Sequence, residues 1–259
     1  MKFDIIIINL LLVLIVSSCS QTSDYESPNA EPKLILKDFA GWWSYNYRNI
    51  NLSEDYTALD TTSKVISRET FLKFLCSGEY IPLRLISKDS LTKYRLYKLG
   101  PSVDDGIKTQ VKRIGEDEYR YYKMEGMELP ELNFTDLNGN VYNKETTKGK
   151  IVVLKCWFIH CQKCVEEMPA LNEAVKQFQN RKDILFVSLA FDPKKKLKDF
   201  LIKTKFNYAV VPEQKTYLIE RLKIYSYPTH LIINKEGLIS KVAVNWEDII
   251  SSLKKELLK

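Results

Sequence analysis

Five cysteines and two histidines are few for a chain of 259 residues, and each shortage removes a class of architecture. So few cysteines argue against a small secreted scaffold stapled by disulfides. A structural zinc site wants four ligands, and His160 and His230 are the only histidines available to join Cys161 and Cys164, so no metal is expected. The apolar run over residues 5–16 is too short for a comfortable membrane span. Neither sign of charge dominates: 39 Lys and Arg stand against 33 Asp and Glu, a modest, dispersed excess that suits proximity to anionic lipid but specifies no ligand. No internal repeat is evident. The chain is long enough to bury a proper core, and its length suits two domains.

What is present is concentrated in one segment, Trp157-Phe158-Ile159-His160-Cys161-Gln162-Lys163-Cys164. It places two cysteines one helical turn apart, after an apolar, β-branched run (residues 149–158) that reads as a buried strand. Val165, Met168, Leu171, Val175 and Phe178 then recur every three or four residues, as one face of a helix requires. Pro169 should kink that helix or tighten its first turns. Cys161 would sit where unpaired N–H groups favour an anion, a standard way to lower a thiol pKa. A Cys-x-x-Cys in a β-α setting points to disulfide exchange, with Cys161 attacking and Cys164 resolving.

Downstream, strands are expected over residues 183–190, 208–211, 229–234 and 238–244, and helices over 194–203, 216–225 and from Trp246 to the end. Strands alternating with helices imply α/β layering about a central sheet. Three pieces then carry a specific resemblance. They are Leu129-Pro130-Glu131-Leu132-Asn133-Phe134 with Asp136-Leu137-Asn138-Gly139, the segment from Gly149-Lys150 to Met168-Pro169, and Tyr227-Pro228-Thr229. In this order they resemble the thioredoxin-fold domains of the TlpA/ResA type, membrane-tethered bacterial thiol-disulfide oxidoreductases, over roughly half the chain. The resemblance implies a thioredoxin-like three-layer fold, a central mixed sheet flanked by helices. It implies a redox-active Cys161–Cys164 disulfide with no other cofactor, protein thiol or disulfide substrates, and a membrane electron donor of the DsbD/CcdA kind. It also implies a cis-proline loop at Tyr227-Pro228-Thr229 facing the cysteines, with Trp157 and His160 shaping the rim.

The chain departs from that pattern in places. No proline separates the cysteines, and His160 stands where many relatives have tryptophan. Lys155 occupies the position that thioredoxins fill with a buried acid. A buried lysine is costly unless paired or neutral. The simpler expectation is a buried stem with its ammonium group snorkelling to water; charged beside the cysteines, it would stabilise the thiolate and make the disulfide more oxidising. Glu166 and Glu167 read as solvated helix residues, Cys156 as an inert core thiol, and Cys76 as buried or an extra redox-sensitive thiol.

Lys2 and the run over residues 5–16 fit a signal peptide over 1–18, and Val16-Ser17-Ser18-Cys19 resembles a bacterial lipobox with Cys19 as the lipidated residue. Residues 19–33 would form a flexible tether, and Ser20 rather than aspartate points to an outer-membrane lipoprotein facing the periplasm. Residues 34–125 are expected to form a smaller β-rich or α+β domain. Its elements would be a short helix capped by Ser67 and strands near 81–86, 91–99, 107–114 and 119–124. Residues 126–259 would form the thioredoxin-like domain. Tracts such as Tyr94-Arg95-Leu96-Tyr97-Lys98 interleave bases with aromatics, but alternating strands produce the same pattern, so no nucleic acid is expected. Two other classes compete. One is a binding or scaffold lipoprotein led by its front domain. The other is a peroxiredoxin-like peroxide reductase, whose Pro-x-x-x-Thr-x-x-Cys setting is absent.

Overall fold

A computed structural model describes residues 27–87 and 91–259. The expected signal peptide and the lipidation of Cys19 lie outside the described residues. Among these, no helix is long and apolar enough to cross a membrane.

The front half begins with a single helical turn, α1 (Pro32–Ile35), and α2 (Phe39–Asn49), whose first turn is capped by the Asp38 side chain accepting from Gly41 N–H at 2.7 Å. Then come β1 (Thr57–Leu59), α3 (Arg68–Cys76), β2 (Tyr80–Arg84), β3 (Lys93–Lys98) and α4 (Asp105–Met124). β3 is the central strand of the small sheet, parallel to β1 and antiparallel to β2. Ser67 caps α3 as the sequence suggests, and Phe71, Leu72 and Leu75 all point from it into the core.

Residues 107–114 and 119–124 are not strands but parts of one 20-residue helix, α4. Its β-branched and aromatic content suggests strands, yet the buried positions Ile107, Val111, Gly115, Glu118, Tyr121 and Met124 follow the helical period, and Asp104 caps its start. Part of the expected tether is also ordered: Pro28 pairs with Leu85, and Ile86 N–H donates to Ser27 O at 2.9 Å, extending the sheet edge.

The second half opens with a hairpin, β4 (Asn133–Thr135) and β5 (Val141–Asn143), and a short α5 (Lys144–Thr147). Next come β6 (Ile151–Trp157), α6 (Gln162–Glu166), α7 (Met168–Gln177), β7 (Ile184–Ala190), α8 (Lys194–Lys203), β8 (Ala209–Val211), a π-helical turn (Tyr217–Arg221), β9 (Thr229–Ile233), β10 (Ile239–Ala243) and α9 (Trp246–Glu256). The five-stranded sheet runs β10-β9-β6-β7-β8, with β6, β7 and β8 parallel and β9 and β10 antiparallel. Apolar clusters lie on both faces of β6: Val152, Leu154 and Cys156 join one, Ile151 and Val153 the other. That is the expected mixed sheet between helical layers.

α4 joins the halves. Its front residues Ile107 and Val111 enter the front core, while Tyr121 and Met124 enter the core under the larger sheet. Beyond it, Gly126 N–H donates to Ile239 O at 2.7 Å, and Ile239 N–H donates to Met127 O at 2.8 Å. Gly115 lets α4 pass close against α3. A Cβ there would lie 2.6 Å from the Leu75 carbonyl carbon and 2.7 Å from the Cys76 nitrogen, both backbone atoms that cannot swing aside. Gly115→Ala, although favourable for an isolated helix, is therefore expected to destabilise the protein by about 1–3 kcal/mol. Urea unfolding followed by circular dichroism tests it; an unchanged midpoint would mean that α3 yields freely.

Candidate active site

β6 ends at Trp157, and the chain turns through Phe158, Ile159 and His160 before α6 begins. The turn is held by Ile159 N–H, which donates to Asp192 Oδ2 at 2.8 Å. Cys161 caps α6: its Sγ accepts from Cys164 N–H at 3.3 Å, and the two cysteines form a disulfide. In the reduced state the same N–H would favour a thiolate on Cys161. Cys161 is 8 % exposed and Cys164 fully buried, so an incoming sulfur reaches Cys161 and not Cys164. The helix breaks at Glu167 and resumes as α7 with Pro169 in its first turn, where proline costs no intrahelical hydrogen bond.

The peptide bond between Tyr227 and Pro228 is cis. Tyr227 packs against the cluster holding both cysteines and forms an aromatic trio with Phe158 (5.7 Å between centroids) and Phe191 (4.9 Å). His160 is exposed beside Cys161. Trp157 is not at the rim: it is fully buried, its ring 5.8 Å from those of Phe200 and Phe206, because strand alternation turns it beneath the disulfide. Thr229 is buried as well, its hydroxyl donating to Ser226 O at 2.6 Å. Neither side chain can touch a substrate directly.

Beneath the disulfide lies the feature that sequence reading misjudged. In register across the centre of the sheet stand Ser188 on β7, Lys155 on β6 and His230 on β9, each fully buried. The Lys155 ammonium group does not snorkel to water. It donates to the Cys164 carbonyl at 2.9 Å and to the Glu167 carboxylate, and it lies 5.8 Å from the Phe206 ring centroid. Glu167 is likewise not a solvated helix residue; it is buried, with Oε1 2.9 Å from His230 Nε2. Burial pushes the Glu167 carboxyl up, but His230 and Lys155 outweigh that and hold it below the usual carboxylate range. Burial pushes Lys155 and His230 down, only partly opposed by Glu167. The Lys155 ammonium group and the His230 ring thus meet at the same oxygen of Glu167. A signal was available: ionisable residues inside the unbroken apolar strands at 155 and 230 demand a buried counterpart, and Glu167, one turn past Cys164, is the acid placed to supply it.

Among the described residues, two further cysteines are free. Cys156 is buried, and burial pushes its thiol well up; Cys76 is only half-buried.

The front half touches the site on two sides. The Tyr47 hydroxyl on α2 accepts from Lys163 Nζ at 2.8 Å. α4 supports the cis-proline loop: Asp117 accepts from the Ser226 hydroxyl at 2.7 Å, and Arg120 lies 4.9 Å from the Tyr225 ring centroid. Neither contact was anticipated, since nothing in a single sequence pairs residues so far apart.

Residues 126–242 match the AhpC/TSA family model. The chain is 25 % identical to the thioredoxin-like protein YneN of Bacillus subtilis over 122 residues, 46 % of this chain and 71 % of YneN. It is 28 % identical to the thiol-disulfide oxidoreductase ResA of the same organism over 119 residues, 46 % of this chain and 66 % of ResA. The ResA of Halalkalibacterium halodurans is 26 % identical, with 43 % of this chain and 64 % of that protein covered. Among solved structures, the thioredoxin domain of a thiol-disulfide oxidoreductase from Bacteroides vulgatus superposes with a TM-score of 0.46 at 23 % identity, covering 51 % of this chain and 96 % of that one. A DsbE-like thiol:disulfide interchange protein from Chlorobium tepidum gives 0.45 at 20 % identity, covering 52 % and 95 %.

Opposite signs are expected from the two halves of the buried ion pair. Lys155→Met leaves Glu167 without its cation, disfavours the Cys161 thiolate and lowers the reduction potential. Glu167→Gln leaves the ammonium group uncompensated and raises it, each by about 30 mV per tenfold change in equilibrium constant. Thiol-buffer titration reads the potentials, and ultraviolet thiolate absorbance reads the Cys161 pKa; shifts of one sign in both variants would reject the pairing.

His230 adds a pH dependence. Its folded pKa is depressed, so below the unfolded value of about 6.5 the unfolded chain takes up a proton first and stability is lost as pH falls. The urea midpoint of the wild type is expected to drop more steeply than that of His230→Gln between about pH 7.5 and 5.5. Parallel curves would mean that His230 carries its proton when folded.

Proposed function

We propose that this chain, whose C-terminal half is a thioredoxin-like domain similar to ResA and YneN, works as a thiol-disulfide oxidoreductase in the cell envelope. The observation that carries the reading is the Cys161–Cys164 disulfide, with the partly exposed sulfur capping α6 and its partner buried. In the reducing direction the Cys161 thiolate attacks one sulfur of a substrate disulfide. A mixed disulfide forms, and one substrate thiolate leaves and takes up a proton. The Cys164 thiolate then attacks Cys161 Sγ, the Cys161–Cys164 bond re-forms, and the second substrate thiolate departs. Two electrons have passed to the substrate, and a dithiol donor must return them.

The direction of net flow, a membrane donor of the DsbD/CcdA kind, lipidation at Cys19 and a periplasm-facing outer-membrane position belong to the same proposal. They rest on the signal-like residues 1–18 and on the kind of protein the chain resembles. So does the division into residues 34–125 and 126–259, the front part serving as an accessory domain. A peroxide reductase has less behind it: Phe158 stands three residues before Cys161, where that chemistry requires threonine.

The decisive experiment equilibrates the full-length protein in graded thiol buffers and reads the couple by alkylation and mass spectrometry. A potential near the thioredoxin value of about −270 mV is the expected result, whereas one near the DsbA value of about −120 mV would reverse the proposed direction. Cys164→Ser should accumulate mixed disulfides on Cys161, and Cys161→Ser should accumulate none. Failure of the wild type to form the intramolecular bond would overturn the reading altogether.

A further inference from the structure

Between the two halves runs a cleft of about 780 Å³. It reaches Pro228 of the cis-proline loop and Lys163, which stands between the two cysteines in the chain, so a segment lying in it can run on toward the disulfide. Two independent features give the cleft a chemistry.

The first is an aromatic wall. Phe39, Trp43 and Tyr47 recur every fourth residue along α2, and all three are exposed. Phe39 and Trp43 stack at 6.3 Å, while Trp43 and Tyr47 line the cleft. Large aromatics left in water along one helix face, leading to a reactive centre, are the surface that polypeptide partners cover.

The second is an acidic wall with one buried group left over. Seven acidic side chains line the cleft against four basic ones, and Glu167 among the acids is already committed to Lys155. Asp117 is held by Ser226 and Arg120, and Asp248 by Asn51 and Asn245. Glu118 is different. It lies on α4, only 8 % exposed, lines the cleft, and makes no hydrogen bond among the described residues. Burial pushes its carboxyl up to about 7, with Arg68 and Lys241 opposing. A carboxylate so placed gains most from a cationic hydrogen-bond donor brought in from outside.

We propose that this cleft receives an extended segment of a disulfide-bearing polypeptide, seating a lysine or arginine near Glu118 and apolar side chains along Trp43 and Tyr47. The assignment rests on the thiol-disulfide reading above and adds to it a substrate class: proteins with basic and apolar residues close to the target cysteine.

The test uses reduced full-length protein and two synthetic peptides, each closed by one disulfide and alike except for lysine or glutamate beside a cysteine. Hydroxyethyl disulfide serves as a substrate too small to need the cleft. The expected result, in single turnover with the protein as the stoichiometric reductant, is a second-order rate constant about tenfold higher for the lysine peptide, the effect of one charge-assisted hydrogen bond. That ratio should fall towards one in Glu118→Gln. A ratio is insensitive to how much of a variant is folded. Should the glutamine variant not fold at all, Trp43→Ala on the exposed helix face probes the other wall, where the advantage of a leucine-flanked over a serine-flanked peptide should fall severalfold. A wild-type ratio of one, or a ratio that survives these substitutions, overturns the cleft assignment. Failure to reduce hydroxyethyl disulfide overturns the thiol-disulfide reading itself.

Discussion

The architecture of the site depends on a charge in an apolar strand. β6 is buried along its whole length, and an unpaired ammonium group at Lys155 would cost far more than any neighbouring contact returns. The Glu167 carboxylate must therefore lie directly over the sheet at the break between α6 and α7, and the Cys164 carbonyl must face the same nitrogen. These requirements fix the start of the helix relative to the sheet, and with it the height of the disulfide. Buried ion pairs seldom add net stability over apolar residues of the same volume. What this one determines is position, together with the electrostatic surroundings of the sulfurs.

α4 imposes the second constraint. A helix that enters two cores cannot move with one half alone. Ile107 and Val111 commit it to the front half; Tyr121 and Met124 commit it to the sheet that carries the cysteines. Because Asp117 and Arg120 on the same helix hold Ser226 and Tyr225, the cis-proline loop is braced by residues far from it in sequence. α2 closes the opposite side through Tyr47 and Lys163. The front half thus forms the walls around a centre that the second half builds.

Much of this was legible in the sequence where periodicity is strong and local. The alternation of apolar strands with amphipathic helices from β6 to α9 could be read element by element, although the helix expected over 216–225 is only a π-helical turn ending at Arg221. The Ser67 cap and the tightened helix start around Pro169 were legible too. The errors have physical causes. In α4, isoleucine, valine and tyrosine favour strands intrinsically, but their spacing over residues 107–124 is helical, and packing against α3 and both sheets overrides propensity. Trp157 neighbours the motif in sequence, which suggests the rim, yet its place on a strand buried on both faces turns it inward. For Lys155 or Glu167 taken alone a surface role is the simpler expectation; the pairing that reverses both is a tertiary fact. His230 drew attention only as a candidate metal ligand, and the same tertiary contact explains it.

These layers separate two tasks that a single exposed cysteine pair would have to combine. Below the disulfide, Lys155, Glu167 and His230 set the field in which the Cys161 thiolate forms, a field that acts equally on every substrate. Above it, the walls of α2 and α4 meet the polypeptide before any bond is broken. Contacts made there bind ground state and transition state alike, so they raise kcat/KM for the partners that fit without altering the chemistry at sulfur. Cys161 is mostly enclosed and Cys164 entirely so, which leaves little of the reactive sulfur open to unselected thiols. Discrimination by the proposed cleft would therefore act on nearly every productive encounter, and the reduction potential could change beneath it without changing which proteins are recognised.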